Sequence, residues 1–90
     1  MSSELYLAVV RLRIRNARLA AGLNQEEVAD RADMAPRHYR RLEALTARKT
    51  NPTLEKLRAV ALVLDVDVPA LTGEPTGEEI DSVRDFVREL

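Results

Sequence analysis

A helix end and a helix start follow one another within three residues near position 22, and this junction constrains the fold more than any other feature of the chain. Gly22 can adopt the left-handed conformation that commonly ends a helix, at no steric cost. Asn24 with Glu27 three residues later is the pattern of a capping box. The sequence therefore predicts that one helix ends at Gly22 and that another runs from Gln25 to about Ala32.

The segment before Gly22 has the periodicity of an amphipathic helix. Ser2 or Ser3 can cap this helix, and its apolar residues recur at spacings of three and four, at Leu7, Val10, Ile14, Ala17 and Ala21. Residues 10–15 alternate apolar and basic side chains as a strand does, but the chain has no second run with which a strand could pair. We therefore assign them to the helix. Its arginines, Arg11, Arg13 and Arg15, are expected on the solvated surface.

The segment after the second helix combines a helix start with positive charge. Pro36 fits the first position of a third helix, where its missing N–H would be unsatisfied anyway, and this helix should run to about Leu45. From Met34 to Lys49 there are five arginines or lysines and one acid. Two short helices with a tight turn, the second rich in positive charge, predict a helix-turn-helix suited to a DNA groove.

Three more helices are expected after a polar loop at residues 46–51. The fourth begins near Thr53 and carries Leu54, Leu57, Ala61 and Leu64 on one face. A short fifth spans residues 66–71, with Asp67 as its cap, and a sixth follows the break at residues 72–75. Thr76 with Glu79 forms a second capping box at its start. We expect a DNA-binding domain at residues 1–73 and a separate C-terminal helix at residues 74–90.

Composition agrees with an all-α class and argues against a metal site, a catalytic site and a membrane segment. Ninety residues allow one domain, and with 3% aromatic residues the core must consist of Leu, Val, Ile and Ala. The chain has no cysteine and one histidine, so no metal, cofactor or small-molecule ligand is expected, and no catalytic set can be assembled. It also has no apolar run that could act as a signal peptide or span a membrane, and a cytoplasmic protein is the expectation.

Net charge by itself argues against a nucleic-acid partner, since it is only −1. The distribution of charge argues for one. Residues 1–50 contain ten arginines and lysines against six acids, whereas residues 51–90 contain four against nine. The positive half includes the expected helix-turn-helix.

Residues 10–72 resemble the helix-turn-helix domain of the Cro/C1 or Xre-type repressors, a five-helix, lambda repressor-like DNA-binding fold. The resemblance rests on Arg18, on residues 22–29, on Leu42-Glu43, and on the segments 51–54 and 62–66. It implies that Gln25 contacts a DNA phosphate and that the first turn of the third helix reads base edges in the major groove.

Carried over to this chain, the resemblance makes Arg37 and Arg41 the base readers. An arginine can donate two hydrogen bonds to guanine, and residues four apart share one helix face, with residue 40 to the side. Arg40 and His38 are therefore assigned to the DNA backbone. The alternative for all these side chains is an ordinary solvated face.

The resemblance also implies an ion pair between Arg18 and Glu43. This chain departs from the family pattern in a longer loop after Glu43, which brings Arg48 and Lys49 toward the DNA backbone and can extend the third helix by a turn. A second departure is Tyr39 at a position that is usually aliphatic and core-facing, where its hydroxyl must find a partner or reach solvent at the helix edge.

The sixth helix has an apolar stripe with two possible uses. It can pack back on the domain or form half of a two-fold interface. We predict a homodimer, with interface candidates Leu71, Ile80, Val83, Phe86, Val87 and Leu90.

The function predicted from the sequence is a sequence-specific transcriptional regulator of double-stranded DNA, a repressor that binds a palindromic operator as a homodimer. It is not an enzyme. The alternative is a protein-interaction module, such as an antitoxin or adaptor, that uses the same fold to hold a partner protein.

Overall fold

The computed structural model describes residues 1–45 and 51–87. This part of the chain contains six helices and no strand, which confirms the all-α class. In chain order they are α1 (Ser3–Ala20), α2 (Gln25–Arg31), α3 (Pro36–Glu43), α4 (Leu54–Leu64), α5 (Val68–Thr72) and α6 (Gly77–Arg84).

Most helices begin where the sequence predicts, because a cap is a local interaction. Five helices begin with a residue whose side-chain oxygen accepts a hydrogen bond from a backbone N–H of the first turn, namely Ser2, Asn24, Thr53, Asp67 and Thr76. Both predicted capping boxes are complete. The exception is α3, where Ala35 offers no side-chain cap and Pro36 occupies the first turn.

The ends of the first five helices fall into two kinds, left-handed and extended. The chain turns into the left-handed region after three helices, at Gly22 (φ 73°) after α1, at Asp33 (φ 56°) after α2 and at Asp65 (φ 59°) after α4. In contrast, α3 and α5 are followed by extended residues, Ala44 with ψ 105° and Gly73 with ψ 172°. The third helix therefore ends at Glu43, two residues before the predicted end at about Leu45, without the additional turn that the longer loop would allow.

The main core lies between α1 and the next four helices. Its buried residues are Val10, Ile14, Val28, Ala29, Tyr39, Leu42, Leu57, Val60, Ala61, Leu64 and Leu71. Leu54 was expected on this face but is 70% exposed, because it is the first residue of α4 and lies before the turn that packs. Ala21, expected on the α1 stripe, is likewise exposed where it caps the end of α1.

A second, smaller cluster covers another face of α1. Ala8 and Val9 of α1 are buried against Val83 of α6, and the half-buried residues Leu5, Leu12, Leu45, Ile80 and Val87 pack around them. The apolar stripe of α6 therefore packs back on its own chain, which was the alternative to forming a two-fold interface.

This packing corrects part of the predicted dimer interface. Leu71 and Val83 are 2% and 0% exposed within the chain, so neither offers a surface to a second copy. Ile80 and Val87 are half-buried in the same cluster. Phe86 is 52% exposed, and Leu90 lies outside the described residues.

Packing on two faces also corrects the assignment of two arginines of α1. Arg11 is buried, with 1% exposed, and the side chain of Arg13 is 15% exposed, whereas Arg15 is exposed as expected. A helix with apolar neighbours on both sides leaves little solvated surface, so arginines on it must find partners within the protein.

Candidate nucleic-acid interface

The junction between α2 and α3 is a tight turn closed by backbone bonds. Asp33 adopts the left-handed conformation, which lets the amide of Met34 donate to the carbonyl of Ala29 at 2.9 Å. Ala35 is extended, as the residue before a proline prefers, and Pro36 then begins α3. Four residues, 32–35, thus redirect the chain from one helix to the next.

The third helix is divided into a buried and a cationic side. Tyr39 and Leu42 are 0% and 2% exposed and pack in the main core. The basic side chains of the helix are all exposed, namely Arg37, His38, Arg40 and Arg41. The core therefore fixes one side of α3 and leaves the other side, rich in hydrogen-bond donors, open to solvent.

Arg40 forms a weak, exposed ion pair with an acid of α2. Its Nη1 lies 3.6 Å from Oε2 of Glu26, and the two side chains are 51% and 65% exposed. An exposed ion pair at this separation contributes little to stability. Arg40 can therefore exchange Glu26 for a phosphate at small cost.

A buried carboxylate joins three helices behind this surface. Glu43 accepts from Arg18 at 2.6 Å (Nε to Oε2) and 3.0 Å (Nη2 to Oε1). It also accepts from the Gln25 amide at 3.0 Å and from the Tyr39 hydroxyl. The Arg18–Glu43 ion pair is thus present, and the hydroxyl of Tyr39 has the partner that its core position requires.

These bonds shift the pKa values of the cluster. Burial raises the pKa of the Glu43 carboxyl, but the hydrogen bonds from Arg18, Tyr39 and Gln25 together outweigh burial and hold that pKa below its ordinary value. Burial and the bond to Glu43 raise the pKa of Tyr39, and the bond to Glu43 raises the pKa of Arg18. Glu43 is therefore ionised and the other two are protonated at neutral pH.

Gln25, the predicted phosphate contact, is oriented by this cluster. It is the first residue of α2, is half-buried, and donates through its amide nitrogen to Glu43. An amide nitrogen carries two hydrogens, and this bond uses one. Gln25 is thus linked through Glu43 to α3.

Two cations that sequence reasoning did not assign to the interface lie beside it. Arg15 lines an open groove of about 600 Å³ together with Gln25 and Arg40. Lys56, in the first turn of α4, lines a cavity of about 130 Å³ with His38 and Arg41. No local pattern indicates either position, because the packing of α1 and α4 against the other helices creates both. The predicted contacts Arg48 and Lys49 lie outside the described residues.

The fold and site define a helix-turn-helix, a short helix followed by a second one with an exposed cationic side. Residues 14–71 match the model of a helix-turn-helix family of the Cro/C1, Xre-like type. The match covers more than half of the chain, which belongs to this family. The family consists of DNA-binding regulators rather than enzymes.

No curated protein and no solved structure matches the chain significantly. No helix in residues 1–45 and 51–87 has the length and apolar character needed to cross a membrane.

Proposed function

We propose that this protein represses transcription by binding a specific double-stranded DNA sequence with α3 in the major groove. The observation that carries the proposal is the division of α3, whose core side is buried while Arg37, His38, Arg40 and Arg41 are all exposed. A helix about 10–12 Å across fits a major groove about 12 Å wide.

Arg37 and Arg41 are the proposed base readers. They are four residues apart on the exposed side of α3, so both can face the floor of the groove. The guanidinium fork donates two hydrogen bonds to O6 and N7 of guanine. We therefore propose guanines in the recognised sequence.

The proposed backbone contacts surround these two residues. Gln25 donates its second amide hydrogen to a phosphate, and Arg40 leaves Glu26 for another. The remaining proposed contacts are His38, Arg48 and Lys49, with Arg15 and Lys56 added because they line the adjacent groove and cavity. Such contacts position the protein on DNA without reading its sequence.

Two copies are proposed to bind a palindrome. One recognition helix reads few base pairs, whereas a symmetric dimer places two such helices about 34 Å apart, one turn of DNA. Since Leu71 and Val83 are buried within the chain and Ile80 and Val87 are half-buried, Phe86 is the most exposed of the described candidates for contact between copies.

A protein-interaction module was the alternative left open by the sequence, and it depended on an exposed apolar stripe on the last helix. That stripe packs on α1. No observation on the described residues favours this alternative over DNA binding.

The salt dependence of binding tests the proposal. In a fluorescence titration with mixed-sequence duplex DNA, log affinity should fall with log salt by about 0.9 for each phosphate neutralised. Arg40→Ala should reduce that slope by about one phosphate. Glu26→Gln should tighten binding, because it removes the acid that competes for Arg40.

The matched control is Arg84→Ala, which removes an exposed arginine paired with Asp81 on α6 and should leave the slope unchanged. No salt-dependent binding by the folded wild-type protein would contradict the proposal and favour a protein partner. An equal loss of slope in Arg84→Ala and Arg40→Ala would contradict the assigned surface.

A further inference from the structure

The recognition helix differs from its neighbours in how its last carbonyls are satisfied. After α1, α2 and α4 the left-handed residue folds the chain back, and an amide beyond it donates to a carbonyl five residues earlier. These bonds are Leu23 to Arg18 at 3.3 Å, Met34 to Ala29 at 2.9 Å and Val66 to Ala61 at 3.0 Å. Each of these helices closes its own end.

Among the described residues, the end of α3 shows no such closure, because Ala44 is extended. Its amide donates to the carbonyl of Arg41, three residues earlier, at 3.3 Å. The same carbonyl accepts a hydrogen bond from Nη1 of Arg11, a side chain of α1. A guanidinium at a helix C-terminus both donates to the terminal carbonyls and interacts favourably with the helix dipole.

The end of α5 supports this interpretation, because it also lacks a left-handed residue and is also closed by α1. The Tyr6 hydroxyl donates to the carbonyl of Thr72. Arg13 donates through Nη1 to the carbonyls of Leu71 at 3.0 Å and Gly73 at 2.8 Å. Side chains of α1 thus close the two helices that end in extended chain.

We propose that Arg11 is a positioning residue for DNA reading, because it holds the last turn of α3 at the backbone of Arg41. This inference rests on the proposed function, in which the Arg41 side chain reads a base. Arg11 is 1% exposed and lies behind α3, so it does not touch DNA itself and acts through the backbone of Arg41.

The expected consequence is for sequence discrimination rather than for affinity in general. Base readout depends on hydrogen bonds with narrow limits of distance and angle, so a loosened last turn weakens the contact of Arg41. Phosphate contacts tolerate such movement because they depend mainly on charge. Specific binding should therefore weaken more than nonspecific binding.

Arg11→Met provides the test, since methionine fills a similar volume and cannot donate. Its first readout uses no DNA: hydrogen exchange of the amides of residues 42–44 should become about tenfold faster, with the amides of α4 unchanged. Its second readout is the ratio of affinities for a preferred and a scrambled duplex, which should fall about tenfold. The matched control is Arg13→Met, which removes the bonds to the end of α5 and to Glu79 of α6 and should change neither quantity.

Exchange and discrimination equal to those of the wild type in Arg11→Met would overturn the proposal. So would a uniform rise in exchange over all helices, because that indicates a general stability role. Should Arg11→Met fail to fold, Arg11→Lys provides a second test, since it keeps the charge but is one bond shorter than arginine, so that its nitrogen falls short of the position of Nη1. Faster exchange confined to residues 42–44 in Arg11→Lys supports the proposal, and unchanged or uniformly faster exchange overturns it.

The two proposals fail in different ways. A wild-type protein with no preferred duplex would contradict the proposed function, while the exchange measurement still tests whether Arg11 holds α3. A wild-type protein with a preferred duplex, together with an Arg11→Met variant of unchanged discrimination, would contradict only the role of Arg11.

Discussion

The Glu43 carboxylate receives hydrogen bonds from α1, α2 and its own helix, and it fixes how the two helices of the helix-turn-helix meet. Arg18 reaches it from α1 and Gln25 from α2. Because the carboxylate is nearly buried, with its side chain 4% exposed, its charge depends on these donors. A buried ion pair gives little net stability, but the loss of one partner strands the other.

Arg18→Met should therefore reduce the free energy of unfolding by about 3–5 kcal/mol, because Glu43 remains buried without its cation. Urea denaturation measures this change. Arg15→Met, an exposed arginine one turn earlier on α1, is the matched control and should change stability by at most about 0.5 kcal/mol. Equal effects of the two substitutions would show that the cluster is not what holds α1 to α3.

A second residue-scale prediction concerns Glu79 at the start of α6. The bidentate bond from Arg13, at 2.8 Å to each oxygen, lowers the pKa of Glu79 from 4.5 to about 2. A lowered folded-state pKa adds stability above the unfolded value, and this is lost as pH falls toward the folded value. Glu79→Gln should therefore be less stable than the wild type above about pH 5, with the difference shrinking toward about pH 2.

Acid titrations followed by circular dichroism measure this convergence. Glu78→Gln, at the exposed position next to it, serves as the control and should follow the wild-type curve. A constant difference between Glu79→Gln and the wild type at all pH values would contradict the role of the ionised carboxylate.

At the scale of elements, α1 is the helix on which the others are assembled. It contributes to the main core, to the cluster with α6 and to the closed ends of α3 and α5. The last helix is held to it by Val83 and by the Arg13–Glu79 pair. The apolar surface of α6 is thus largely covered by α1 of the same chain.

Val83→Ala should accordingly reduce the free energy of unfolding by about 1–3 kcal/mol, since it leaves a gap at a fully buried position. Phe86→Ala should change it little, because that ring is 52% exposed. Thermal unfolding of the two variants measures the difference. A larger loss in Phe86→Ala would indicate that α6 presents its other side to the protein or to a second copy.

At the scale of the whole molecule, the sequence predicts helix starts better than helix ends. Caps such as Asn24 and Thr76 are short-range signals, and both lie where the spacing indicates. The end of α3 was placed two residues late because it depends on the extended Ala44 and on Arg11, 30 residues away from the carbonyl it binds.

At the site, too, the sequence predicts local features better than those that depend on long-range packing. The exposed arginines of α3 follow from local periodicity and from the family resemblance. The burial of Arg11 and Arg13 does not, because it depends on α6 returning to α1. One signal was available: Arg11 has apolar neighbours one turn away on both sides, at Leu7, Ala8 and Ile14, which is unusual for a solvated position.

The measurement that tests the central claim most directly is selection of binding sites from random duplex DNA at about 150 mM salt. The winning duplex is then titrated with the wild type, with an Arg37→Ala, Arg41→Ala double variant and with Arg84→Ala as the control. We expect a palindrome with guanine in each half-site and half-site centres about 10 base pairs apart. Binding should collapse in the double variant alone. No enriched sequence from the folded protein, or a sequence that the double variant binds as tightly as the wild type, would contradict the claim that α3 reads DNA.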